Sequence, residues 1–325
     1  MRTIISGCLF TFMLACAGCS ADVADEAVQR DAEKQTSPDS AAEPGQPDTE
    51  GGSPDAGPQQ SAPASGELAK IQQELRQHAL PAIRITPLKV PPATPWQSRF
   101  GGVPYWPKSQ PLPTTPEGKP LHLLAQINFS EAPHIPEYPA EGILQIFIAD
   151  NDVYGLEFRS EERTQAEINR NPNGYKVIYH AEPEMDATKL LTEAPTPESF
   201  PVTGTYSLQF EKTQDPLSIS DVRFSRLIKG SSELPDEVWD KLSRDYSGGG
   251  SKICGHAFFT QNDPRAKAKG EVAQGEWILL LQIDSEFKEG ISINWGDSGV
   301  GNVFIRPADL AKKDFSNVWY NWDCY

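Results

Sequence analysis

Basic charge is scarce in this chain: 29 Lys and Arg stand against 45 Asp and Glu in 325 residues, a formal net charge of −16. That balance excludes a nucleic-acid partner, which needs cations to displace phosphate counterions. Long apolar runs are missing beyond the first two dozen residues, where no stretch reaches the roughly 18 residues of a membrane span. Histidine is sparse and scattered: His78, His122, His134, His180 and His256 show no ligand spacing, and only His256 lies near a cysteine, Cys254. Neither a metal site nor a cofactor is therefore expected. Hydrophobic residues make up only 38% of a chain that carries 29 Pro and 25 Gly, too few for all of it to pack as one globule. Some of it must be tail.

What is present begins with an address. Met1 to Gly18 carries one early cation, Arg2, followed by an almost wholly apolar and small run from Ile4, the pattern and length of a signal peptide. The run ends in Ala17, Gly18 and Cys19 before Ser20, which resembles the lipobox of bacterial lipoproteins and implies acylation of Cys19. Position 16, where a lipobox usually has Leu, is Cys16, so Cys16 is a competing acylation site; cleavage near Ala17 to Ser20 without lipid is the third possibility. The resemblance, with Ser20 rather than Asp after the cysteine, implies the outer membrane of a two-membrane cell. Residues 20–66 hold ten acidic and two basic residues and no aromatic, a composition that cannot offset its own ordering entropy. Residues 1–18 thus read as a signal peptide, 19–66 as a lipidated cysteine with a disordered acidic linker, and 67–325 as a globular domain. The linker's reach as a random coil is on the order of 35–40 Å.

Within the globular part, Leu68, Ile71 and Leu75 predict a helix over 67–78, capped by Ser65 or Gly66 and ended by Pro81. Proline is so dense from Ile83 to Pro120 that central strands are not expected there. Strand-type runs follow at 122–129, 142–149, 175–180, 206–210, 277–283, 291–295 and 302–306, and a helix at 232–246 with Ser232 as its cap, stopped by Ser-Gly-Gly-Gly at 247–250. The expected class is α+β, sheet-rich and mostly antiparallel. An internal repeat is visible: GGVPYWP (101–107), LLAQIN (123–128) and EGILQIFI (141–148) recur in order as CGHAFF (254–259), LLLQID (279–284) and GVGNVFI (299–305). Two internally similar halves are the expectation.

Several positions invite a chemical reading. Gln126 and Gln282 are amides inside apolar strands, where a lost partner costs about 1–3 kcal/mol, so each needs a fixed partner, loop backbone or ligand. Trp295 to Gly299 reads as a hairpin turn; Asp297 could instead join Asp284 and Glu286 as an acid–base pair or cation site. Its Gly-Asp-Ser-Gly string resembles the nucleophile loop of trypsin-like proteases, but Val300 follows and no histidine has the required context. Asp150, Asp152, Gly155 and Glu161 match a calcium loop in part, broken by Tyr154. With the leader removed and Cys19 acylated, Cys254 and Cys324 are either bridged or two buried free thiols. Phe315, Trp319, Tyr320, Trp322 and Tyr325 form either a core element or an aromatic platform for sugar or peptide.

The strings at 277–285, 293–305 and 314–325, with 101–107, 123–129 and 142–148, resemble the YwqG-like bacterial domain of unknown function over roughly residues 90–325. Where that family often has a Gly-Gly-Tyr-Pro-like turn, this chain has Cys254, Gly255, His256 and Ala257. The resemblance implies an α+β fold, no established catalytic residues and, for some members, an immunity-type role against secreted toxins. The expectation is an exported, lipid-anchored binding protein of the cell envelope with a protein or cell-wall ligand, whose candidate binding residues are Gln126, Gln282, Asp284, Trp295 and Asp297. An envelope hydrolase using carboxylates near 284–297 and an immunity protein are the alternatives.

Overall fold

The computed structural model describes residues 62–157 and 163–325. The expected leader, Cys16, Cys19, most of the acidic linker, and Glu161 of the partial calcium pattern lie outside the described residues. Helix α1 (Ala62–Gln77) starts before the expected Glu67. Its Ile71 and Leu75 bury against Leu217, Val238 and Leu242, in a cluster shared with α3 (Phe224–Leu227) and α4 (Asp236–Asp245). Ser232 does not cap α4: Ser231–Glu233 form a separate short turn, and Pro235 takes the cap position with no side-chain bond. Two further short helices, α2 (Gln165–Arg170) and α5 (Pro307–Ala311), start with a Thr164–Glu167 capping box and with Pro307 in the first turn, respectively.

The strands are β1 (Leu80–Leu88), β2 (Arg99–Phe100), β3 (Leu121–Asn128), β4 (Ile143–Ala149), β5 (Tyr175–His180), β6 (Tyr206–Asp215), β7 (Lys252–Cys254), β8 (Ile278–Asp284), β9 (Glu286–Lys288), β10 (Ile291–Ile293), β11 (Val300–Ile305) and β12 (Val318–Asp323). Ten of them form one antiparallel sheet in the order β12-β11-β8-β7-β1-β6-β2-β3-β4-β5, while β9 and β10 pair as a separate ribbon. The sheet nearly closes on itself: across the gap between its edges, the Tyr175 hydroxyl donates to the Val318 carbonyl at 2.9 Å and the Tyr175 and Tyr320 rings lie 5.2 Å apart. Its interior is filled by Phe100, Leu124, Ile148, Leu281, Val303 and their neighbours. Strands β3, β4 and β11 are buried along their whole length because the outer face is covered too, at Trp106, Leu123 and Phe147 on one side and at Leu279, Phe304 and Trp319 on the other. Burial on both faces is why these strands appear in the sequence as continuous apolar runs.

Two expectations are corrected and a third is narrowed. The proline-rich stretch holds most of β1, a central strand carrying Pro81 and Pro87, and all of the internal strand β2. Ile85 donates its N–H toward Ser251, so by the period of two the nitrogens of Pro81 and Pro87 face that same side, where β7 pairs only with Ala82–Arg84; neither proline removes a ladder bond. The strand expected at 291–295 is present as β10, limited to Ile291–Ile293 and paired with β9 in the small ribbon. Residues 295–299 do form a turn, with Gly296 and Ser298 at positive φ, but β10 and β11 on either side of it do not pair, so it is not a hairpin. Cys254 and Cys324 are free and half-buried. Of the C-terminal aromatics, Phe315, Trp319 and Tyr320 are core, and Tyr325 is exposed.

The two flanks of the sheet carry matching irregularities. Leu124 in β3 and Leu280 in β8 are each the extra residue of a register shift, two positions before Gln126 and Gln282. Gln126 faces Gln145 across β3–β4, and Gln282 faces Asn302 across β8–β11. Gly101 and Gly102 after β2 sit at φ 66° and 76°; Cys254 and Gly255 at the end of β7 sit at 61° and 81°.

Candidate functional site

Gln282 is fully buried, and all its polar atoms are used. Its Oε1 accepts from the Phe258 N–H at 2.8 Å, and its Nε2 donates to the carbonyls of Gly248 and Gly250 at 2.9 and 2.7 Å. The amide therefore clamps the glycine loop 247–250 against the sheet. Asp284, two residues on and so on the same face of β8, completes the clamp by accepting the Gly250 N–H at 2.5 Å, while its own N–H donates to Ser251 Oγ. Burial pushes the Asp284 carboxyl above its ordinary range, the loop N–H and Lys252 opposing and nearby Glu286 adding to the rise.

Beneath this loop, Lys252 of β7 is 5% exposed. Its Nζ donates to Asp215 Oδ2 at 2.7 Å, and the same oxygen accepts the His256 N–H at 2.8 Å. Gly255 makes this approach possible, since a Cβ there would lie 2.3 Å from Asp215 Oδ2. Desolvation lowers the Lys252 ammonium pKa against the pull of Asp215. Lys252, Asp215 and the loop line a polar cavity of about 480 Å3, with Arg84, Arg244 and Glu286 also on its walls.

Gln126 occupies the corresponding place on the other flank. Its Oε1 accepts from the Tyr105 N–H and from Gln145 Nε2, and its Nε2 donates to the carbonyls of Pro95 and Gln97. The cation there, Arg99, spends its guanidinium on the carbonyls of Thr94, Gln97 and Val103. Burial lowers its pKa to about 10, Glu131 opposing. A groove of about 470 Å3 lies beyond, lined by Gly102, Leu123, Phe147, Phe200 and Val202 among others.

The sequence-predicted candidates do not meet at one point. Gln282 and Asp284 converge on the glycine loop, whereas Gln126 holds the separate loop at 95–97. Trp295 is fully buried against Tyr154 and Tyr320, and Asp297 sits on the exposed turn, where its carbonyl accepts from Tyr325. Asp150 accepts the N–H groups of Glu198 and Ser199, which ties two loops together. Among the described residues, no group of three or more His, Cys, Asp or Glu could hold a metal ion. Sequence reasoning missed Lys252 and Asp215; the only signal was the triple glycine, read there as a helix stop. It also missed a buried charge cluster in which Asp221 accepts bidentate bonds from Arg223 at 2.8 Å and one from Arg265 at 3.2 Å. Arg223 also donates to His256 Nδ1, and the His256 Nε2–H donates to the His78 carbonyl.

This architecture, a nearly closed antiparallel sheet whose buried amides hold loops across its flanks, defines the class of domain. A family model described as a domain of unknown function, DUF1963, matches residues 98–324, and the chain belongs to that family. No curated protein matches the chain.

Proposed function

We propose that the protein works by binding, taking a small polar ligand into the glycine-loop cavity between Lys252, Asp215 and loop 247–250. The observation that carries this is the clamp: Gln282 and Asp284 fix three consecutive glycines above a buried ion pair, leaving an open polar cavity rather than a packed floor. The paired bulges, the paired glutamine clamps and the matching positive-φ turns support reading the sheet as two similar halves. Under the same proposal, acylation at Cys19 and the acidic linker hold the domain at the outer membrane, and the YwqG-like resemblance describes the domain within its wider family.

The test fills the cavity. Gly249 lies outside the positive-φ region, and a Cβ there meets only Asp284 Oδ2 at 3.3 Å and Ser247 Oγ at 3.5 Å, so Gly249→Phe needs a shift of only a few tenths of an ångström and adds a ring to the loop that lines the cavity. Native mass spectrometry of protein purified from its own envelope should show a small polar adduct on the wild type and none on the variant. The same adduct at equal occupancy on a folded variant rejects the reading. One observation favours hydrolysis as a second reading: the Asp284 carboxyl is raised by burial with Glu286 nearby, as a general acid requires. Asp284→Asn then abolishes turnover while leaving ligand affinity intact.

A further inference from the structure

We propose that the Lys252 ammonium anchors an oxyanion, carboxylate or phosphate, in the glycine-loop cavity; this rests on the reading of that cavity as the binding site and names what it takes. An ammonium carries three donors and no acceptor. Among the described residues, Lys252 Nζ has a single hydrogen-bond partner, Asp215 Oδ2. Its side chain is 6% exposed, so bulk water does not freely serve the other two N–H groups, and buried donors left without acceptors are costly. The open side of the amine is the cavity that Lys252 itself lines.

The other flank shows what a structural cation looks like in this position. Arg99, like Lys252, faces the clamping glutamine across its strand pair, and three backbone carbonyls of its own loop region absorb its donors. Lys252 makes no bond to the carbonyls of loop 247–250, of which Gln282 holds those of Gly248 and Gly250. Asp215 fixes the amine in place, itself held by the His256 N–H and by the room that Gly255 leaves. On the cavity walls Arg84 is paired with Glu211 and Lys288 with Glu286, while Arg244 adds a further cation beside Asp245. An incoming oxyanion meets donors already positioned, with no competing backbone carbonyl on the amine.

The experiment uses the full chain in detergent with 15N-labelled lysine and glycine, titrated at constant ionic strength with sodium acetate and, separately, with inorganic phosphate. The expected result is a saturable shift of the Lys252 Nζ signal and of the Gly248–Gly250 amides, with the loop shifts at least tenfold weaker in affinity in Lys252→Gln. Saturation by acetate alone assigns a carboxylate and by phosphate alone a phosphate group; either supports the proposal. Shifts no different from those in sodium chloride, or loop shifts of equal affinity in Lys252→Gln, overturn it. Should Lys252→Gln fail to fold because Asp215 loses its partner, the wild-type Nζ signal decides alone, and its failure to move overturns the proposal. A neutral probe, N-acetylglucosamine, separates the two levels: saturable loop shifts with it and with neither anion overturn the oxyanion assignment and leave the cavity standing as a binding site.

Discussion

Replacing Gln282 by Met keeps the length and volume of the side chain while removing every polar atom of the clamp. The Phe258 N–H loses its only acceptor behind the sheet, and the carbonyls of Gly248 and Gly250 lose their donor. Gly250 is exposed and Gly248 half-buried, so water replaces most of what those carbonyls lose, and the stranded N–H dominates. At about 1–3 kcal/mol for an unsatisfied buried group, with a fraction of that for each carbonyl, the expected loss is about 2–4 kcal/mol. Gln126→Met loses the same set of bonds and also strands one N–H of buried Gln145, for about 3–5 kcal/mol. Urea unfolding followed by tryptophan fluorescence measures both, with the midpoint falling at unchanged slope. The clamps lie on opposite flanks and share no partner, so the double variant should lose the sum. A loss below about 1 kcal/mol for either single variant refutes the assignment of these amides as clamps.

Asp221→Asn should cost about 1.5–3 kcal/mol, because partly buried Arg223 loses its carboxylate fork while Arg265 keeps Asp263 at 2.6 Å; chemical denaturation at pH 7 checks it. Burial alone raises the Asp221 carboxyl, but the Arg223 fork and the Arg265 charge hold it far below the usual range. Its stabilisation is therefore complete above the unfolded carboxylate pKa near 4 and is lost as pH falls further, so the gap between wild type and Asp221→Asn should shrink below about pH 4. Gly255→Ala places a methyl 2.3 Å from Asp215 Oδ2 at φ 81°, and thermal unfolding should show a loss of about 1–3 kcal/mol. Cys19→Ser should abolish metabolic labelling by radioactive palmitate and release the protein from the membrane fraction, whereas Cys16→Ser should leave both unchanged; the opposite pattern makes Cys16 the acylation site.

The sequence alone determined the strands that are buried on both faces. β3, β4, β8 and β11 stand out as apolar runs because the barrel-like interior and an outer cluster both exclude water from them, and an amide inside such a run announces its need for a partner. It did not reveal β1, whose prolines disguise a central strand, nor β2 and β7, which are too short to carry a period. Tertiary structure alone decided which loops the glutamines hold and where the cavity lies. Lys252 and Asp215 are 37 residues apart in the chain, and they meet because β7 and β6 flank the same strand, β1. Local propensity carries no trace of that meeting: strand order is set by how ten strands jointly bury their faces, and the site inherits its charge pair from that order.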